Sequence, residues 1–249
     1  MEGAIPTGHL SEIFLSIQGE GIHVGRAHLF LRLGGCPLRC RYCDTPGALV
    51  ERPRYRLALP GGREEWGVNP VAAEAVAPLL RRVDPDRLAR AVAVTGGEPL
   101  HQPDFLADLL PRLRPPLAVY LETAGVHAEA LERVVEHVDI VAMDFKLDSV
   151  AREGDRCGAH AAFLELARRR SVFVKVVVSQ QATVAEIETA ARLVAKAGRE
   201  IPLVLQPETD RSTGRPASGP WLLGLLRAAS GLLQDVRVIP QTHKFLGLD

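Results

Sequence analysis

The chain has 249 residues, 47% of them hydrophobic, and its 30 basic and 30 acidic side chains leave no formal net charge. That length fits one α/β domain with a sizeable core, while the charge balance and the 5% aromatic content give neither the electrostatic footprint nor the stacking platforms of a nucleic-acid binder. No basic segment followed by an apolar run opens the chain, no stretch is long and apolar enough for a bilayer, and four cysteines are too few for a disulfide scaffold; the expected compartment is the reducing cytoplasm, with no membrane partner.

In chain order, a strand is expected at 29–33, where an apolar run is too short for a helix. Residues 45–69 hold prolines, paired glycines and scattered arginines and read as irregular. A helix at 71–82 follows, and the pattern then alternates: strand 91–95, helix 103–113, strand 118–121, helix 127–137, strand 140–143, helix 159–170, strand 172–178, helix 184–197, strand 203–206, helix 221–232 and strand 236–239. The short runs are rich in Val, Ile or Leu, as in buried parallel strands, and the longer ones carry apolar residues at helix spacing. Residues 208–219, rich in Ser, Thr, Gly and Pro, form a second irregular stretch. Arg168, Arg169 and Arg170 read as a solvated helix terminus favoured by the helix dipole. Strand–helix repetition of this kind implies right-handed crossovers and a wound or barrel-like sheet.

The first strand runs into Gly34-Gly35-Cys36-Pro37-Leu38-Arg39-Cys40-Arg41-Tyr42-Cys43-Asp44-Thr45. Three thiolates on one glycine-led loop can converge on one metal centre, and from spacing alone a zinc site or a redox thiol loop stays open beside an iron–sulfur cluster. A structural zinc site wants four ligands in a closed tetrahedron, and Cys157 is far along the chain with only His160 near it. Three ligands suit an iron–sulfur cubane with one iron open to a ligand. Cys157 itself reads as a small core or loop residue.

The strand at 91–95 ends in Thr95-Gly96-Gly97-Glu98-Pro99. Ligands of α/β folds bind outside the carboxyl ends of strands, and glycines there bring the backbone close. A tight strand-to-helix turn explains the glycines and Pro99 but not the glutamate. Leu121-Glu122-Thr123, Met143-Asp144-Phe145-Lys146 and Gln206-Pro207-Glu208-Thr209 place polar groups at equivalent ends, as a ring around one mouth would. Lys146 either steadies a bound anion there or lies in solvent.

The C-x3-C-x2-C spacing followed by Gly-Gly-Glu-Pro resembles the radical S-adenosylmethionine (SAM) superfamily. Ser11-Glu12-Ile13-Phe14-Leu15-Ser16-Ile17-Gln18-Gly19-Glu20-Gly21, Cys43-Asp44-Thr45 and the terminal Gln241-Thr242-His243-Lys244 resemble, more specifically, the 7-carboxy-7-deazaguanine synthases, over essentially the whole chain. The resemblance implies one radical SAM domain over 1–249 with an incomplete, modified (β/α) TIM-like barrel of parallel strands, its open side suiting a homodimer or a lateral substrate entrance. It implies conversion of 6-carboxy-5,6,7,8-tetrahydropterin to 7-carboxy-7-deazaguanine with loss of ammonia. Hydrogen abstraction by a 5′-deoxyadenosyl radical would start a ring contraction, in the biosynthesis of queuosine and other 7-deazapurines. The implied cofactors are a 4Fe-4S cluster, SAM and magnesium, and the implied partner is an electron donor such as flavodoxin or ferredoxin.

By the same resemblance Cys36, Cys40 and Cys43 hold the cluster, and Thr45 ligates magnesium through its hydroxyl, in keeping with a hard ion; otherwise Thr45 is a helix cap before Pro46. Ile17, Gln18, Gly19, Thr95, His243 and the terminal Asp249 line the pterin. Arg32 binds its carboxylate, a planar fork matching two oxygens; otherwise it is a solvent-facing strand arginine. Glu20, Arg32 and His243 are the candidate catalytic residues. Arg41, Tyr42, Gly97, Glu98, Asp144, Phe145, Lys146, Gln206, Pro207, Glu208 and Thr209 are expected at SAM. The chain departs from the family in carrying Asp144 where Ser is common and Ala124 where Asn is common. Two rivals share the cysteine pattern: an activase that makes a glycyl radical on a partner protein, and a non-catalytic module held together by its metal, which would unfold when the metal is removed.

Overall fold

A computed structural model describes residues 5–210 and 212–248; Asp249, expected at the pterin, lies outside the described residues. β1 (Thr7–Gly8) leads into β2 (Leu10–Ile17), which returns antiparallel as β3 (Ala27–Leu33), the Phe14 and Phe30 rings stacking 4.9 Å apart. The stretch expected to be irregular, 45–69, contains a hairpin instead: β4 (Arg54–Leu59) and β5 (Arg63–Val68), joined through Gly61 and Gly62 at positive φ. Tyr55, Leu57 and Leu59 alternate into the core while Arg54 and Arg56 point away from it, so the arginines that hid the strand are its other face.

β6 (Val71–Ala72) pairs with β1, and α1 (Ala73–Val83) therefore starts two residues later than its apolar spacing indicated. Then come β7 (Ala91–Gly96), α2 (Pro103–Leu113), β8 (Ala118–Thr123), α3 (Ala128–Val134), β9 (Ile140–Phe145), α4 (Asp148–Ala151) and α5 (Cys157–Ala167). β10 (Ser171–Val178), α6 (Val184–Ala197), β11 (Leu203–Pro207), α7 (Trp221–Ser230), β12 (Val236–Val238) and α8 (Thr242–Leu246) complete the chain. Arg168 and Arg169, just past α5, are exposed as expected, and Arg169 and Arg170 form surface ion pairs with Glu132 and Glu136. Among the described residues no helix is long and apolar enough to cross a membrane.

Ten strands form one open sheet in the order β12-β11-β10-β9-β8-β7-β3-β2-β4-β5. From β12 through β7 to β3 every neighbour is parallel. The expected parallel strands thus form most of the sheet, and β2 and β5, which were not expected, run antiparallel to β3 and β4. The sheet is an incomplete barrel: β5 and β12 are its edges and do not pair with each other.

Period-two alternation decides what each face carries. Val92, Val94, Val119, Leu121, Val141, Met143, Val174, Val176, Leu203 and Leu205 turn outward into the core shared with the helices. Each such side chain contributes about 1.5–3 kcal/mol on burial. Phe14, Phe30, Ala93, Tyr120, Ala142, Phe173 and Val204 turn inward and pack together as a floor. Two residues further along six of those strands the inward positions are Arg32, Thr95, Glu122, Asp144, Lys175 and Gln206. The floor thus supports a ring of polar groups at the carboxyl mouth.

Candidate active site

The mouth is a cavity of about 510 Å³, lined by that polar ring, the floor, the cysteine loop and α8. Cys36, Cys40 and Cys43 all face it, and all are thiols. The loop is fixed through its backbone: Gly35 N–H donates to Ala48 O at 2.9 Å, Cys36 N–H to Leu49 O at 3.2 Å and Cys43 N–H to Cys40 O at 3.0 Å. Burial pushes the Cys40 thiol up to about 11 and raises that of Cys36. A cation that accepts thiolates reverses that preference. Cys157 lies apart, at the start of α5, hydrogen-bonded to Asp155 and lining a different cavity.

Glycine is required where the second motif meets this loop. A Cβ on Gly97 would lie 2.2 Å from Gly35 O and 2.6 Å from Ala48 O, both backbone atoms that cannot yield. Glu98, expected at SAM, does not line the cavity. It is fully buried, and its carboxylate accepts from Leu100 N–H at 3.0 Å, the Thr123 hydroxyl at 2.8 Å and Ala124 N–H at 2.7 Å. It fastens the loop after β7 to the loop after β8.

One side of the cavity gathers around Glu122. Its carboxylate accepts from Gln18 Nε2 at 2.8 Å and the Thr95 hydroxyl at 2.7 Å. Burial and the nearby charge of Glu20 raise its pKa. Glu20 is held by Lys175 and by Gln241 Nε2 at 2.7 Å; Gln241 also donates to Asp44 at 2.8 Å. Burial opposes ionisation of Glu20, yet the Lys175 ammonium overrides it and holds the carboxyl down at about 2. His243 packs so closely on Gly19 that a Cβ there would lie 2.1 Å from Nδ1, and burial lowers its pKa. Donor atoms of Glu20, Asp44 and His243 lie within 4.8 Å of one another, close enough to hold a metal ion. Ile17, Gln18, Gly19, Glu20, Arg32, Thr95 and His243 are all brought to this cavity.

Arg32 is no solvent-facing arginine. Its Nε donates to Glu12 at 2.7 Å, it reaches Thr45 Oγ1 at 3.3 Å, and its guanidinium lies 5.4 Å from the Phe14 ring centroid. Thr45 does not act as a side-chain cap; its hydroxyl donates to Asp44 at 3.2 Å and faces the cavity.

The other side gathers around Asp144. Its Oδ2 pairs with Lys146 at 2.9 Å and lies 3.5 Å from Lys175. Burial opposes both charges, but the pairing lowers the Asp144 pKa and raises that of Lys146 well above its ordinary value. The Lys146 side chain is only 10% exposed and lies 5.1 Å from the Tyr42 ring centroid, so the solvent reading fails. Tyr42, Gly97, Gln206, Glu208 and Thr209 line the same side. Three other residues expected at SAM do not line it. The Phe145 side chain turns outward and stacks on His160 at 4.3 Å, Pro207 continues β11 behind Gln206, and Arg41 stands behind the lining, donating to the cavity-lining Glu208 at 2.6 Å and to Val150 O at 3.1 Å.

Lys175 is a site residue absent from the sequence expectations, and Glu122, Asp44 and Gln241 entered them only within a strand end or a motif, with no ligand assigned to them. Glu122 had a signal, a carboxylate at a strand end. Lys175 had another, a lone charge inside the valine run of β10.

Residues 31–213 match the model of the radical SAM superfamily. A 7-carboxy-7-deazaguanine synthase of Geobacter sulfurreducens is 41% identical over 97% of this chain and 98% of its own length. The chain belongs to the 7-carboxy-7-deazaguanine synthases of the radical SAM superfamily. A synthase of the family from Methanopyrus kandleri is 35% identical, over 97% of this chain and 94% of its own length. The crystal structure of QueE from Escherichia coli superposes with a TM-score of 0.65 at 25% identity, covering 94% of each chain. A radical SAM methyltransferase from Sphaerobacter thermophilus, at 13% identity and a TM-score of 0.57, shares the fold over 92% of this chain.

Family membership implies a 4Fe-4S cluster and SAM, and the residues present fit both. Three thiols from one loop face the cavity while the fourth cysteine lies elsewhere, which is the donor set of a cluster with one iron left open. The cofactor side also holds buried polar atoms, Asp144 Oδ1 and Gln206 Oε1, with no hydrogen-bond partner among the described residues. Such orphans are costly unless a ligand satisfies them.

Proposed function

We propose that the chain acts as a single domain converting 6-carboxy-5,6,7,8-tetrahydropterin to 7-carboxy-7-deazaguanine with loss of ammonia. The observation that carries the reading is one cavity with two differently built sides and the three cysteines at its rim. Cys36, Cys40 and Cys43 hold the cluster, and the side with Tyr42, Gly97, Asp144, Lys146 and Gln206 takes SAM. When bound, the reduced cluster and SAM supply the 5′-deoxyadenosyl radical that takes hydrogen from the pterin carbon bearing the carboxylate.

The chain's own residues bind and orient the substrate. Glu122, fixed by Gln18 and Thr95, offers acceptors to the N–H edge of the pterin, and Glu20 adds a second. Arg32, oriented by Glu12, binds the substrate carboxylate through charge-assisted hydrogen bonds worth about 1.5–3 kcal/mol. His243, carried by α8 against Gly19, closes the pterin side and excludes water. Thr45 and the adjacent Asp44 hold magnesium against the substrate carboxylate, hard oxygen donors for a hard ion. A flavodoxin or ferredoxin supplies electrons in the cytoplasm, and the open edge of the barrel suits assembly as a homodimer.

The test is an anaerobic assay of reconstituted protein with SAM, magnesium, a reductant and 6-carboxy-5,6,7,8-tetrahydropterin, read by mass spectrometry. The expected product is 7-carboxy-7-deazaguanine. Its absence from protein that carries the cluster and binds SAM overturns the reading.

A further inference from the structure

The two sides of the cavity meet at one side chain, Lys175. It rises from the middle of β10 between inward-facing Phe173 and Val177, in an otherwise apolar run from Val172 to Val178, so nothing local calls for a charge. Its ammonium is ion-paired with Glu20, from the turn after β2, and lies 3.5 Å from Asp144 Oδ2, at the end of β9. Each carboxylate has a further holder of its own: Gln241 on Glu20 at 2.7 Å and Lys146 on Asp144 at 2.9 Å. Lys175 is the group they share. Its side chain is 17% exposed and theirs 19% and 16%, so the three charges interact with little screening.

We propose that Lys175 is a positioning residue that couples the two ligand sites, making the binding of pterin and of SAM depend on each other by sharing one ammonium between Glu20 and Asp144. The inference rests on the assignment of Glu20 to the pterin side and Asp144 to the SAM side. When pterin N–H groups engage Glu20, that carboxylate gives up part of its hold on Lys175. The ammonium then belongs more fully to Asp144, fixing that carboxylate as an acceptor for the ribose hydroxyls of SAM. The reverse holds when SAM arrives first, because coupling between two binding equilibria is reciprocal.

The experiment is equilibrium binding of SAM to cluster-loaded protein, with the cluster oxidised so that no turnover occurs, in the absence and presence of saturating 6-carboxy-5,6,7,8-tetrahydropterin. In the unsubstituted protein the pterin should tighten SAM by about fivefold or more, the low end of ordinary coupling. Lys175→Met should bring that ratio to within about twofold of unity, whereas Lys175→Arg, which keeps a charge between the carboxylates, should retain most of it. A residue of merely structural importance would weaken both ligands and leave the ratio unchanged, and that result overturns the proposal. So does a ratio near unity in the unsubstituted protein.

Should Lys175→Met fail to fold, Glu20→Gln carries the same test. Releasing Lys175 to Asp144 in advance, it should bind SAM without pterin as tightly as the unsubstituted protein binds it with pterin, and show no further gain. Unaltered SAM binding with the full ratio overturns the coupling. Unaltered pterin affinity in Glu20→Gln instead overturns the assignment of the pterin side.

Discussion

Replacing Glu98 with Gln separates a residue that builds the site from one that touches a ligand. The two Glu98 oxygens accept from Leu100 N–H, the Thr123 hydroxyl and Ala124 N–H at 3.0, 2.8 and 2.7 Å, with no exposure to water. An amide has one oxygen. If it faces Ala124, its NH2 confronts Leu100 N–H; if it faces Leu100, its NH2 confronts Ala124 N–H. Either way a buried backbone donor is stranded and a charge-assisted hydrogen bond is lost, at a cost of about 2–4 kcal/mol. In a chain of this length that lowers the melting temperature by about 5–15 °C. The assay is thermal unfolding by circular dichroism under anaerobic conditions, alongside the SAM dissociation constant. A melting temperature unchanged within about 1 °C, with SAM binding abolished, would mean that Glu98 touches SAM after all and would refute the reasoning.

Arg32→Lys removes the Nε that Glu12 orients at 2.7 Å and the fork that fits a carboxylate; substrate binding should weaken about ten- to a hundredfold with SAM binding unchanged, and a full-affinity variant would contradict the assignment. Gly97→Ala drives a Cβ into Gly35 O and Ala48 O, so reconstituted protein should hold less iron and bind SAM more weakly; normal iron content would count against the packing argument. Stability should also depend on pH through His160, whose pKa burial lowers to about 4. Its Nδ1 faces Gly125 O at 2.9 Å and its Nε2 accepts from Lys146 N–H at 3.1 Å, so a second ring proton has no acceptor. The unfolded chain therefore binds more protons than the folded one between the two pKa values. The His160 contribution is complete above about pH 6.5 and is lost, by up to about 3 kcal/mol, as the pH falls from there to about 4. Denaturation midpoints measured across that range should decline, and a flat profile would exclude His160 as a contributor.

Much of the barrel was legible because its strands obey simple rules. The runs at β7 to β11 are short, apolar and separated by helices of ordinary length, and the helices Pro103–Leu113 and Val184–Ala197 begin where a proline at the first turn and the Thr183–Glu186 capping box set them. The β4–β5 hairpin was not, because Arg54 and Arg56 break the apolar run although they occupy the opposite face from Tyr55, Leu57 and Leu59. Nor was β2, which the expectations lack, because Ser11, Glu12 and Ser16 break its apolar run and local pattern does not say which neighbour a strand will take. In the site, cysteine spacing and glycines announced themselves because their chemistry depends on neighbours in sequence. Glu98 was placed at the ligand for the same reason, and only the fold shows its carboxylate consumed by the next loop. Lys175 and Glu122 meet Glu20 and Gln18 across the barrel, a relation that strand order creates and no local spacing encodes.

The most direct test of the account is the electron paramagnetic resonance spectrum of the reduced, reconstituted protein with and without SAM. A cluster held by Cys36, Cys40 and Cys43 alone leaves one iron open, so added SAM should change the spectrum, and Cys→Ser substitution at any of the three should abolish the response. A reduced cluster whose spectrum is indifferent to SAM would contradict the account.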